Sequence, residues 1–143
     1  MRTSTPLGRL LAAAGLCMAL GAAHAQVAVI VNPKSGASGL SAEQVASMFM
    51  GKTNTLPGGL SQAVDLPEGN AARDQFYTKA AGRTGSQVKA TWARLAFSGK
   101  ATPPKEMASA AEVKKFVAAN ADAIGYIDKG AVDGSVKVVL SLD

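Results

Sequence analysis

Five consecutive apolar residues, Val27-Ala28-Val29-Ile30-Val31, four of them β-branched, constrain this chain more than any other stretch. A hydrophobic side chain at every position, rather than at alternate ones, fits a strand covered on both faces better than a hairpin edge. Such a strand needs partner layers above and below it. The pattern downstream supplies them.

The segment Asn32 to Gly39 is rich in turn formers and reads as a loop. Ser41 then caps a helix, with Gln44 completing a capping box, Val45, Met48 and Phe49 on one apolar face and Gly51 as the stop. Pro57-Gly58-Gly59 marks a turn before a short strand, Ala63 to Leu66. Asn70 is a suitable N-cap for a helix carrying Arg73, Phe76, Tyr77 and Ala80 on neighbouring turns and ending at Gly82. Thr84 with Gln87 forms a second capping box, and Val88, Trp92, Leu95 and Ala96 make the inward stripe of the next helix. Gly99 and Pro103-Pro104 close that helix. Ser109 with Glu112 reads as a third box, opening a helix with Val113, Phe116 and Val117 inward and Asn120 at its end. Ile124 to Ile127 is a strand, Asp128 to Gly134 a turn and Val136 to Leu140 a last strand. The expected order is β-α-β-α-α-α-β-β, an α/β fold with helices flanking a small mixed sheet.

The first 25 residues read differently. Arg2 and Arg9 form a basic region, Leu10 to Gly21 an apolar run too short to span a bilayer, and Ala23-His24-Ala25 a small-x-small site. This is the pattern of a secretory signal peptide, cut after Ala25, with residues 26–143 as one exported domain. Leu16 precedes Cys17 where a lipoprotein signal has a small residue, so no lipid anchor is expected. No membrane insertion is expected after cleavage, since no later run reaches spanning length.

Cleavage would remove Cys17 and His24, the only cysteine and the only histidine. What remains offers no disulfide, no thiolate or imidazole metal site and no Ser-His-Asp arrangement. No metal, cofactor or enzymatic activity is expected. The basic residues are dispersed, with Lys114-Lys115 the only adjacent pair, so a nucleic-acid footprint is not indicated.

Two short motifs have plainer readings. Gly51-Lys52-Thr53 resembles the end of a phosphate-cradling P-loop, but Ala46 stands where its first glycine belongs, inside a capped helix. Asn32-Pro33-Lys34-Ser35-Gly36 resembles a motif of diacylglycerol and sphingosine kinases, without the glycine-rich partner loop those kinases carry; the stretch reads better as a flexible connection. Tyr77, Trp92 and Phe97 fall at helical spacing and are expected in the core. Asp65, Glu68 and Asp74 read as a cap, a turn and solvated surface. Asp65 to Phe76 stands out as a strand-to-helix junction, where first-turn N–H groups attract anions.

Several segments together resemble one family, the periplasmic phosphate-binding proteins of ABC transporters, type 2 solute-binding proteins. Ser41 to Lys52, ending Met48-Phe49-Met50-Gly51-Lys52, is similar to the family's Leu-Ser…Ile-Phe-x-Gly-Lys helix. Ala123-Ile124-Gly125-Tyr126 is similar to its Gly-Ala-Ile-Gly-Tyr strand, and Gly69 to Phe76 sits where the family has Gly-Ser-Gly-Thr-x-x-x-Phe. The likeness covers one of the family's two lobes and implies a single lobe of the type 2 periplasmic-binding-protein fold, located in the periplasm.

The resemblance implies phosphate or another small anion as ligand, held by Gly69, Asn70, Ala71, Ala72 and Arg73. The chain departs from the family at that loop. Ala72 replaces the phosphate-binding Thr, Ala71 the Gly and Asn70 the Ser, and Leu66 or Asp65 takes the place of an upstream Arg. A hydrogen bond to a charged group contributes about 1.5–3 kcal/mol, so these losses should weaken phosphate binding roughly a hundredfold or more. The expectation is weak anion contact at best. The alternative is a non-catalytic envelope interaction module that has lost its ligand, docking on another envelope protein or on itself.

Overall fold

The computed structural model describes residues 26–143. The signal-peptide reading falls on residues 1–25, outside the described residues. A five-stranded mixed sheet runs in the order β3-β2-β4-β1-β5, where β1 is Val27–Val31, β2 Gln62–Asp65, β3 Lys105–Glu106, β4 Ala123–Asp128 and β5 Lys137–Leu142. Four helices accompany it: α1 Ala42–Phe49, α2 Ala71–Ala81, α3 Gly85–Phe97 and α4 Ala110–Ala119. β1 pairs antiparallel with β4 and β5, whereas β2 pairs parallel with β3 and β4.

The apolar run that opens the domain does what its pattern demands: all five residues of β1 are fully buried. The two faces of the sheet are told apart by β4, whose successive side chains alternate. Tyr126 points toward α1 and α2, stacking on Phe76 at 4.0 Å. Gly125 faces α4 instead. A Cβ there would stand 2.7 Å from Val113 and 2.8 Å from Val64, so the missing side chain is what lets α4 approach the sheet.

The helix boundaries follow the capping residues. Ser41/Gln44 and Thr84/Gln87 form reciprocal capping boxes, and Asn70 and Ser109 accept first-turn N–H groups with their side chains. The box expected at Ser109 is only half made, because Glu112 accepts from the N–H of Ala108 rather than of Ser109. Gly82 ends α2 in a left-handed conformation, φ 65°.

Four expectations change. β3 is an added edge strand of two residues, directly after Pro103-Pro104. Phe97 is 97% exposed rather than in the core. At about 100° per residue it stands half a turn round α3 from Val88, the helix's one fully buried side chain, and Ala96 is exposed as well. The fourth is the loop after β1, which is tied down. Asn32 is buried and donates to the carbonyls of Val117 and Ala118, closing the end of α4, while the Ser35 carbonyl accepts from Lys137.

Candidate functional site

The end of β2 and the start of α2 meet over a cluster of aromatic rings. Phe49 lies edge-on to Phe76 at 4.8 Å and to Tyr126 at 5.9 Å, and Tyr77 lies edge-on to Phe76 at 5.0 Å. Into this apolar setting β2 delivers the carboxylate of Asp65, only 4% exposed. A buried charge persists only when paired and hydrogen-bonded. Both tyrosines of the chain do this: Tyr126 donates its hydroxyl to Oδ1, and Tyr77 donates to Oδ2 at 2.5 Å. The N–H of Leu66 also donates to Oδ1, at 2.9 Å.

Arg73 supplies the opposite charge. Its Nη1 lies 3.7 Å from Asp65 Oδ2 and donates to the Leu66 carbonyl at 2.8 Å, and its guanidinium carbon is 5.4 Å from the centre of the Tyr77 ring. Its Nε is buried and without a hydrogen-bond partner. Burial, reinforced by the neighbouring carboxylate and the hydrogen bond to it, pushes the phenol pKa of both tyrosines far above its ordinary value. They therefore remain protonated donors. The carboxylate and both phenols of this cluster are almost wholly buried.

Each residue singled out for anion contact lies at this junction. Gly69, exposed and at φ 89°, makes the turn that brings the chain to the Asn70 cap. The Asn70 side chain accepts from the N–H groups of Ala72 at 2.9 Å and Arg73 at 3.3 Å. Ala71 is exposed on the first turn, and Ala72 is buried. The helix start thus gives two of its orphan N–H groups to its own cap, and the guanidinium faces its own protein's carboxylate. Asp65, expected as a cap, is the centre of the arrangement. Its signal in the sequence was a carboxylate lodged inside the run Ala63-Val64-Asp65-Leu66.

Two open grooves lie elsewhere. One, of about 820 Å³, runs between the start of β2, the end of α1 and the segment after α3, and is lined by residues including Met48, Lys52, Trp92, Lys100 and Lys105. The other, of about 460 Å³, lies between α1, α2 and α3 and is lined by residues including Glu43, Lys52, Arg83, Arg94 and Leu95. They share Gly51 and Lys52.

A small mixed sheet with helices on both faces and a strand-to-helix junction at the end of a parallel strand make this an α/β lobe. Comparison with solved structures bears out that class. The fold is shared with a protein of Clostridium perfringens assigned as a phosphate ABC transporter substrate-binding protein and solved with bound phosphate (21% identity, TM-score 0.61, covering 80% of this chain and 45% of that one). It is shared too with an ABC-type phosphate transport receptor of Vibrio cholerae (22% identity, TM-score 0.61, 80% and 46%) and with PstS of Borrelia burgdorferi (14% identity, TM-score 0.60, 80% and 47%). The chain spans less than half the length of these proteins. At such identities the likeness is one of fold. No protein-family model and no curated protein matches the chain.

Proposed function

We propose that this chain is an exported, non-enzymatic domain related to the substrate-binding proteins of phosphate ABC transporters, acting in the periplasm and making weak contact with phosphate or another small anion. The observation that carries the reading is the junction Gly69 to Arg73, a capped helix start with an adjacent arginine, at the end of a parallel strand in a fold shared with phosphate receptors. The helix-start N–H groups at Ala71 and Ala72, the latter shared with the Asn70 cap, and Arg73 are the contact groups. Because Arg73 already faces Asp65, the affinity is low.

Titration calorimetry of residues 26–143 with phosphate and with sulfate tests this. Heat of binding at millimolar anion, lost in Arg73→Ala, is expected. No heat at that concentration overturns it.

The Asp65–Arg73 pair also favours a second reading. A lobe whose cation is neutralised from within serves as a non-catalytic module that docks on an envelope protein or on another copy of itself. Light scattering and capture from a periplasmic extract test it, and a strict monomer that captures nothing would count against it.

A further inference from the structure

The two grooves adjoin at the end of α1, where Gly51 and Lys52 line both, and together make a channel divided by a ridge. Close packing there explains the ridge between them: a Cβ on Gly51 would stand 2.7 Å from Leu95 and 3.0 Å from Trp92 of α3. Along the combined channel stand five cations, Lys52, Arg83, Arg94, Lys100 and Lys105, against one carboxylate, Glu43. All five are exposed. Among the described residues none of the five makes an ion pair, and only Lys105 has an aromatic neighbour, the ring of Phe116 at 5.2 Å. This charge is unspent.

We propose that this channel is a docking groove for an extended acidic segment of a partner protein. The inference rests on the second reading above and gives it a place and a chemistry. Charge complementarity selects an anionic occupant. Shape and lining select a peptide among anions. The channel is concave, and a flat anionic bilayer would not follow its shape. Its one aromatic wall, Trp92, is a single half-buried ring whose indole N–H goes to the Phe49 carbonyl at 2.9 Å, so it offers no series of rings on which successive nucleic-acid bases would stack. Neutral hydrogen-bonding side chains line the larger groove, Thr53, Asn54, Ser61 and Thr102 among them, and suit the amide groups of an extended chain. The apolar floor of Met48, Trp92 and Leu95 takes short aliphatic side chains between the acidic ones.

Trp92 is the only tryptophan of the chain, so its emission reports occupancy directly. A fluorescein-labelled oligoglutamate peptide added to residues 26–143 should raise anisotropy and shift the Trp92 emission, and binding should weaken steeply with salt. Charge reversal by Lys52→Glu with Arg94→Glu should weaken it by about tenfold or more. Lys115→Glu, on α4 across the sheet, serves as the control and should leave it nearly unchanged. Equal losses in the double variant and the control, or no binding of oligoglutamate at low salt, would overturn the proposal. Tighter binding of oligo-dT or of phosphatidylglycerol vesicles would overturn it as well. A chain that self-associates yet ignores oligoglutamate would remove the groove and leave the docking reading standing, while Arg73→Ala, which tests the anion site, should not alter peptide binding.

Discussion

The two ends of β2 treat charge in opposite ways. At its far end Asp65 is buried, and every group around it, two phenols, one backbone N–H and one guanidinium, is turned inward to satisfy it. At its near end, Ser61 to Ala63 border an open groove whose cations make no ion pair among the described residues. An internally balanced cluster contributes order and rigidity, but it has little left to offer a ligand. An unbalanced surface costs some self-repulsion and retains its attraction for a partner. In a fold where the strand-end junction is the expected place for a ligand, the electrostatics here point to the other end.

The strongest way to break this contrast is to remove the centre of the cluster. Asp65→Ala leaves two tyrosine hydroxyls without their acceptor, takes one of two acceptors from the Leu66 N–H and strips the Arg73 guanidinium of its counter-charge, in a site that is largely buried. Breaking a buried pair by deleting one partner costs about 3–5 kcal/mol. Urea unfolding should show a loss of unfolding free energy of that size; a loss within about 0.5 kcal/mol would mean that the cluster is not a structural joint.

High pH probes the same cluster without mutation. In the unfolded chain both phenols ionise near pH ~10, whereas in the fold burial and Asp65 raise their pKa values far above that. Below pH ~10 both states hold the protons and stability does not depend on them. Above it the folded state binds more protons than the unfolded one, so stability falls as pH rises, by about 1.4 kcal/mol per pH unit for each tyrosine. Unfolding midpoints measured up the alkaline range should show this slope, and Tyr77→Phe should halve it. A flat profile would mean that the tyrosines ionise as freely in the fold as out of it.

How far this was legible from sequence differs between the two regions for a physical reason. Helix starts are local: Ser41 with Gln44, Asn70 and Thr84 with Gln87 make the hydrogen bonds their spacing predicts. The β1 run announced its own burial. Asp65 did not, because its environment comes from Tyr77 and Tyr126, 12 and 61 positions away. Nor did the basic channel, whose five members are scattered between positions 52 and 105 and gather only when α3 packs beside the end of α1. β3 was hidden for another reason: Lys105-Glu106 carries no apolar pattern, and its strand character comes from pairing beside β2. Phe97 misled because helical spacing specifies an angle but not which neighbours exist at it.

At the open end, Gly51→Ala tests whether the ridge between the grooves is fixed by close packing. Its φ of 80° disfavours any side chain, and the new Cβ would collide with Leu95. Overpacking of this kind costs about 1–3 kcal/mol. The Trp92 emission should move along with stability, since the ring lies on the other side of the same contact. A stability loss with unchanged Trp92 emission would locate the strain in the backbone alone and separate the ridge from the groove.

The smallest expected effect is also the one that separates structural from ligand roles at the candidate loop. Asn70→Ala removes the acceptor for the Ala72 and Arg73 N–H groups and should cost about 1 kcal/mol, the usual value of a lost N-cap. Those two N–H groups then become free donors at a helix start beside an arginine, a better arrangement for an anion than the capped one. Phosphate should therefore restore part of the lost stability in Asn70→Ala, and restore it more than it stabilises the parent chain, when both are melted with and without millimolar phosphate. If phosphate raises the melting temperature of the parent but not of the variant, the Asn70 side chain is itself a ligand group, and the cap and the anion site are one and the same.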